Sequence, residues 1–212
     1  FEHMQAAADT VAQLLQGAAS IKLLVTSRER LQLREEWLMP VAGLSLAEGW
    51  LGEAGQLFFR SARQVQPAFS NNGQEESIAA ICAQVEGMPL AIELAASWVR
   101  IMSCAAIARQ IAQNMDIFTT TLRNVPERHR NLRKLFDQSW RLLAPLEQSV
   151  LRRASVFRGG WALEEAAQVA DATLPILVGL VDKSLVRANG EGRFDLHELV
   201  RQYAAEQLVA SG

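Results

Sequence analysis

The chain has 212 residues, half of them hydrophobic and 21% charged, with a formal net charge of −2. Such a chain is globular, can bury a substantial core and has room for more than one domain. A net charge this small excludes any overall attraction to nucleic acid or anionic lipid, so such binding would need a local basic patch, and no apolar run is long enough to span a membrane.

Residues 4–16 (MQAAADTVAQLLQ) have helical spacing, and the branched, apolar IKLLVTS at 21–27 predicts a buried strand; together they suggest a remnant of an α/β sheet. RERLQLREEW and the following residues to Pro40 and VAGL read as a connection. Ser45-Leu-Ala-Glu48 has the pattern of a capping box and predicts a helix running to about Gln64. The polar SNNGQEE at 70–76 leads into a helix over 75–86 that places Ile78, Ile81, Cys82 and Val85 on one face. Gly87-Met88-Pro89 interrupts it. Glycine takes the left-handed conformation cheaply just past a helix end, and proline suits a first helical turn, so the triplet by itself reads as a tight break. Helices from Pro89 to about Ile101 and over 104–114 complete an all-helical unit.

At 123–134, RNVPERHRNLRK gathers six basic residues, counting His129, against one acid, and we read it as a solvated connector in preference to a nucleic-acid site. LRKLFDQSWRLL and a helix from Pro145 follow. Gly159-Gly160 breaks the chain, WALEEAAQVA predicts a short helix, and residues 174–183 predict another. SLVRA and RFDLH flank NGEG, and Asn-Gly supplies the positive φ angles of a hairpin turn. The amphipathic ELVRQYAAEQL closes the chain. Helices followed by a hairpin are the order of a winged helix. The expected fold is therefore mainly α: a remnant α/β piece at 1–44, a helical domain at 45–122 and a winged-helix domain with a β-hairpin at 123–212.

No catalytic constellation is present: Ser27 and Ser184 lack a histidine at an informative spacing, and no glycine-rich phosphate loop occurs. Cys82 and Cys104 lie in apolar helical patterns and, with three scattered histidines, offer no metal-ligand spacing, which fits a reducing cytoplasm. Trp37, Trp50, Trp98, Trp140 and Trp161 are scattered and read as packing residues.

Seven segments, in this order, carry a resemblance: FEH, LLVTSRERL, VEGMPLAIELAA, LRKLFDQSW, LRRASVFRGGWALEEA, LVDKSLV and FDLHELVRQYAAEQL. They resemble the second half of the nucleotide-binding module of bacterial STAND (NB-ARC-like) signal-transduction ATPases, over nearly the whole chain. The resemblance implies that Walker A and Walker B lie upstream, that FEH follows the Walker B acid, and that the chain's end runs out towards repeat-type sensor domains. It implies a sensor-1 segment at Thr26, Ser27 and Arg28, adenine packing at Pro89 with Leu90 beside it, and a phosphate contact from His197 in Leu196-His197-Glu198. The family pattern has Met and Asp around that histidine, and the glutamate leaves the acid's role open. Read without the resemblance, Arg28 and Glu29 are a solvated loop pair, Pro89 is a helix initiator and His197 is a histidine at a strand end.

The expected function is the regulatory part of an ADP/ATP-dependent switch from a bacterial transcriptional regulator, with helical and winged-helix domains closing over ADP. Cofactors would be ADP or ATP with Mg in a longer protein, a slow ATPase only there, with none tightly held by this chain. Partners would be nucleotide, the NTPase and sensor domains of the same protein, and further copies on activation, with no specific DNA binding and no membrane. The alternative is a winged-helix transcription factor that binds DNA directly. Against it, TLPILVGLVDK before the hairpin offers one lysine and one acid, and NGEG carries a glutamate where a minor-groove wing favours arginine. A purely structural interaction module is a third possibility.

Overall fold

A computed structural model describes residues 8–18, 20–113, 115–119 and 131–211. Among these residues the protein is mainly helical, with one three-stranded antiparallel sheet. The helix α1 (Ala8–Gly17) is followed by α2 (Glu53–Val65), α3 (Glu75–Gln84), α4 (Pro89–Ala96) and α5 (Cys104–Gln113); α3 and α5 lie close to the spans expected from periodicity, α4 is extended by a 3₁₀ turn to Arg100, and α2 starts later than expected. Helix α2 packs on α4, and α3 on α5. Phe58, Ile78, Ile81, Ile92, Ile107 and Ile111 are fully buried between them. Each such side chain contributes about 1.5–3 kcal/mol of transfer free energy, which outweighs the indifferent helix propensity of branched residues.

Two expectations for the first part of the chain are corrected. Residues 21–27 form no strand or helix, and Ile21, Leu23 and Leu24 are exposed. A strand is stabilised by ladder hydrogen bonds to a neighbouring strand, and none of the described strands pairs with this segment. The chain then turns onto the C-terminal part: Arg28 Nη1 donates to Ser139 Oγ at 2.8 Å, Arg30 pairs with Asp182 at 3.2 Å, and the Ser184 hydroxyl donates to the Arg28 carbonyl. The capping box at Ser45 and Glu48 is not formed either. Glu48 is left-handed (φ 65°), a 3₁₀ turn occupies Gly49–Leu51, and Glu53, opening α2, accepts the Ser45 N–H at 3.1 Å. Gly49 and Gly52 interrupt the helix that the pattern predicted.

The break after α3 follows the sequence. Glu86 (φ 49°) and Gly87 (φ 69°) are consecutive left-handed residues, and Gly87 N donates back to Cys82 O at 3.0 Å. Leu44 N donates to Gly87 O at 2.8 Å, laying residues 43–44 directly on the break. Pro89 then opens α4 at its first turn.

In the C-terminal part, α6 (Leu132–Arg141), α7 (Pro145–Ala154), α8 (Leu163–Ala170), α9 (Leu174–Asp182) and α10 (Glu198–Ala210) surround strands β1 (Trp161–Ala162), β2 (Arg187–Ala188) and β3 (Arg193–Asp195), in sheet order β1-β3-β2. Strand β3 is central: Phe194 faces Trp161 on one side, and Asp195 faces Arg187 on the other. The hairpin is where Asn-Gly placed it, but the positive φ angles fall on Gly190 and Gly192 and not on Asn189, whose Oδ1 instead accepts from Glu191 N and Arg193 N, both at 3.1 Å. Strand β1 takes the first two residues of the segment expected to be wholly helical. Glu147 and Glu165 each reach back to an N-cap amide, that of Ala144 (2.8 Å) and that of Ala162 (2.7 Å), fixing the starts of α7 and α8.

Leu151, Trp161, Leu177 and Leu180 form a second core, and α6 joins it to the first through Phe136 and Trp140, which touch both. Tyr203 of α10 packs its ring against theirs, with centroids 5.6 and 5.9 Å apart, and donates its hydroxyl to Asp137 at 2.7 Å. Residues 123–130 of the basic stretch, and the expected domain boundary at 122–123, lie outside the described residues. Within the stretch, Arg133 is described and is held by Asp116 and Glu206.

Candidate functional site

The end of α3 and the start of α10 are far apart in sequence, yet they meet. Glu86 Oε1 accepts the Glu198 N–H at 2.8 Å across 112 residues, and Glu86 Oε2 accepts from Arg187 Nη1 at 2.6 Å. Arg187 also reaches Asp195 across the hairpin at 2.8 Å. Glu86 lies just past the end of α3 with left-handed backbone (φ 49°), and its carboxylate meets the hairpin and the start of α10.

His197 is the N-cap of α10, and its Nδ1 accepts the Leu199 N–H at 3.1 Å. With Nδ1 as acceptor, the ring proton belongs on Nε2, and the imidazole lies beside the Val85 backbone. The 3.9 Å approach of Nδ1 to Glu86 is too long for a hydrogen bond. Burial pushes the His197 pKa below the usual histidine range, against a weaker opposing pull from Glu86, so the ring is neutral near pH 7. Glu198 is engaged along its own helix, pairing bidentately with the buried Arg201 at 2.7 and 2.6 Å. That pairing holds its carboxyl below the usual carboxylate range despite partial burial. Burial raises the Glu86 carboxyl, but hydrogen bonds from Arg187 and the Glu198 N–H outweigh it and leave the pKa lowered.

Beside this junction lies an open cleft of about 280 Å³, lined by Glu86, Phe157, Arg158, Trp161, Glu198 and Arg201. It falls just below the ~300–1,000 Å³ of typical small-molecule pockets. Phe157 and Trp161 stack at 5.0 Å along one wall, and the buried indole N–H of Trp161 has no hydrogen-bond partner.

The structure brings together some of the residues singled out in the sequence. His197 joins the end of α3, directly ahead of Pro89; Pro89 is exposed at the start of α4, and Leu90 packs partly against the first core. Thr26 and Ser27 are exposed, with Ser27 Oγ accepting from Glu29 N at 3.2 Å, and Arg28 is directed to α6 through Ser139. Glu86 and Arg187 were not singled out. The signal available for Glu86 was an acid on the left-handed side of a Gly-x-Pro break; Arg187 gave none beyond its place in a strand.

Nucleotide fits this junction in part. The first amides of α10 form an anion-accepting end, as the Glu86 carboxylate on the Glu198 N–H demonstrates. The imidazole of His197, however, already uses Nδ1 to cap α10. Among the described residues, no group of three or more His, Cys, Asp or Glu could hold a metal ion, and no helix is long and apolar enough to cross a membrane.

These titrations predict how stability depends on pH. For His197, whose pKa is depressed on folding, the unfolded chain binds the proton first as pH falls below about 6.5. For Glu86 and Glu198, also depressed, the stabilisation is complete above about 4.5 and is lost as pH falls through the folded values. Both effects run in one direction. Urea midpoints should therefore fall steadily from pH 7.5 to pH 4, and Glu86→Gln should flatten the acid limb; a midpoint that rises over this range would contradict the assignment.

No family model matches the chain. It is 36% identical over 223 residues to proteins of Mycobacterium bovis and Mycobacterium tuberculosis provisionally named HTH-type transcriptional regulators, covering all of this chain and 25% of theirs. It is 32% identical over 224 residues to a Mycobacterium tuberculosis protein named only as uncharacterized, covering all of this chain and 56% of that protein. The chain thus spans a quarter of the length of the first of these relatives.

Proposed function

We propose that the chain is a regulatory segment of a longer transcriptional regulator, in which helical and winged-helix parts close on each other under the control of ADP or ATP. The observation that carries this reading is the meeting of the 85–89 break with His197 at the anion-accepting start of α10. A ligand that touches both parts favours the closed arrangement by its differential affinity for it. Bound nucleotide would supply the phosphate charge and adenine surface; the chain would supply the α10 amides, His197 and the face around Pro89 and Leu90. The three-part division at residues 44 and 122, and the sensor-1 role of Thr26, Ser27 and Arg28, belong to the same proposal.

A second reading, direct DNA binding by the winged helix, is favoured by the relatives' names, which speak for it more directly than for nucleotide control. The sheet order β1-β3-β2 with α9 ahead of the hairpin also suits it. The surface of α9 weighs against it. Its outward residues include Leu174 and Val178, its following Lys183 is bound to Glu147 at 2.6 Å, and Asp182 is held by Arg30.

Both readings are tested on the purified chain. We expect no ATPase activity and only weak, sequence-indifferent association with duplex DNA that falls steeply with added salt, as counterion release dictates. Steady hydrolysis retained through purification would overturn the first expectation, and footprinting of a defined site at physiological salt would establish the second reading. ADP binding by the longer protein, measured by calorimetry, is the direct test of nucleotide control.

A further inference from the structure

We propose that Glu86 is an intramolecular latch that holds the hairpin and the start of α10 against the middle helices, whether or not nucleotide is present. The two cores are linked through Phe136 and Trp140 of α6 and through α10, which gives Leu199 and Tyr203 to the first core and Val200 and Ala204 to the second; the polar contact from the α3 end to the hairpin and to the first amide of α10 is made by the Glu86 carboxylate. Its two oxygens serve different elements: Oε2 takes Arg187 of β2 at 2.6 Å, and Oε1 takes the first amide of α10 at 2.8 Å. Arg187 is held in turn by Asp195 of β3, so one acid reaches both strands of the hairpin and the final helix.

The local backbone is adapted to the task. Glu86 is left-handed at φ 49°, a conformation that disfavours a side chain of this size, and the preceding residue of a Gly-x-Pro break has no local need for an acid. Glycine or asparagine would be less strained there. A carboxylate is what the two donors opposite require, since either one left unpaired at this half-buried junction loses a charge-assisted bond. A group that competes for the Glu198 N–H or for Arg187 would release the hairpin from the helices, so the latch sets how readily the two parts separate.

The test uses the whole chain without nucleotide, comparing Glu86→Gln, Glu86→Gly and Arg187→Gln with the unchanged protein by hydrogen exchange. Gln keeps the size but loses the charge; Gly relieves the backbone and loses the side chain. Each variant should speed exchange of the Glu198 amide by about tenfold, the partial exposure of the pair being allowed for. Amides inside α2 and α3 should stay unchanged, which separates latch release from general destabilisation. Combining Glu86→Gln with Arg187→Gln should add less than the product of the single effects. The proposal is overturned if Glu86→Gln, with those core amides still protected, leaves the Glu198 amide as slow as before. Because no nucleotide is used, that outcome would leave nucleotide control standing, and failure of ADP to bind the longer protein would leave the latch standing.

Discussion

Gly87→Ala is expected to lower the stability of the chain by roughly 2–5 kcal/mol, combining about 1–2 kcal/mol for a left-handed alanine with about 1–3 kcal/mol for forcing a methyl group into packed backbone. Gly87 sits at φ 69°, and a Cβ there would collide with the carbonyl oxygen of Leu44, the residue whose N–H is bonded to the Gly87 carbonyl. Neither group can retreat without breaking that bond and lifting residues 43–44 off the break. Gly73 provides the control. It is also left-handed, at φ 73°, but nothing lies within 4 Å of its would-be Cβ, so Gly73→Ala should show the conformational cost alone. Urea unfolding followed by tryptophan fluorescence measures both. Equal losses in the two variants would mean that the close approach at Leu44 adds nothing to the need for glycine at Gly87.

That comparison also shows which features of the fold were legible from sequence. The break at Gly87-Met88-Pro89, the apolar face of α3 and the hairpin at Asn189-Gly190 follow from local rules: glycine's freedom, proline's fixed φ and the helical repeat. All are found where those rules put them. Strand β1 escaped because two residues have no period, and only the free edge of β3 makes Trp161 and Ala162 a strand. Residues 21–27 failed for the opposite reason: their composition is that of a strand, but composition supplies no neighbour to pair with. The candidate site divides the same way. His197 stood out through the resemblance of its segment, whereas Glu86 and Arg187 acquire a role only because the fold brings together positions 101 residues apart. No local pattern encodes such a pairing.

In the longer protein, His197→Ala is expected to weaken ADP binding by about tenfold. A neutral imidazole donating to a phosphate makes a charge-assisted bond of roughly 1.5–3 kcal/mol, which alone would correspond to tenfold to hundredfold in affinity. The ring is largely buried and its Nδ1 already caps α10, so only Nε2 is left for phosphate and the loss should sit near the lower end of that range. Alanine has a second effect, because the ring's other nitrogen caps α10 at the Leu199 N–H and a lost cap costs about 1 kcal/mol of stability. His197→Asn separates the two. Asparagine is a strong N-cap whose oxygen can accept from Leu199, but its shorter amide cannot reproduce the reach of Nε2. If His197 contacts phosphate, the asparagine variant should recover the unfolding midpoint and still bind ADP about tenfold more weakly in calorimetry. Because the same ring lies between the start of α10 and the end of α3, both variants should also favour the open arrangement, and output without the inducing signal should rise. An asparagine variant with full ADP affinity would leave His197 as the cap of α10 and would remove it from nucleotide control.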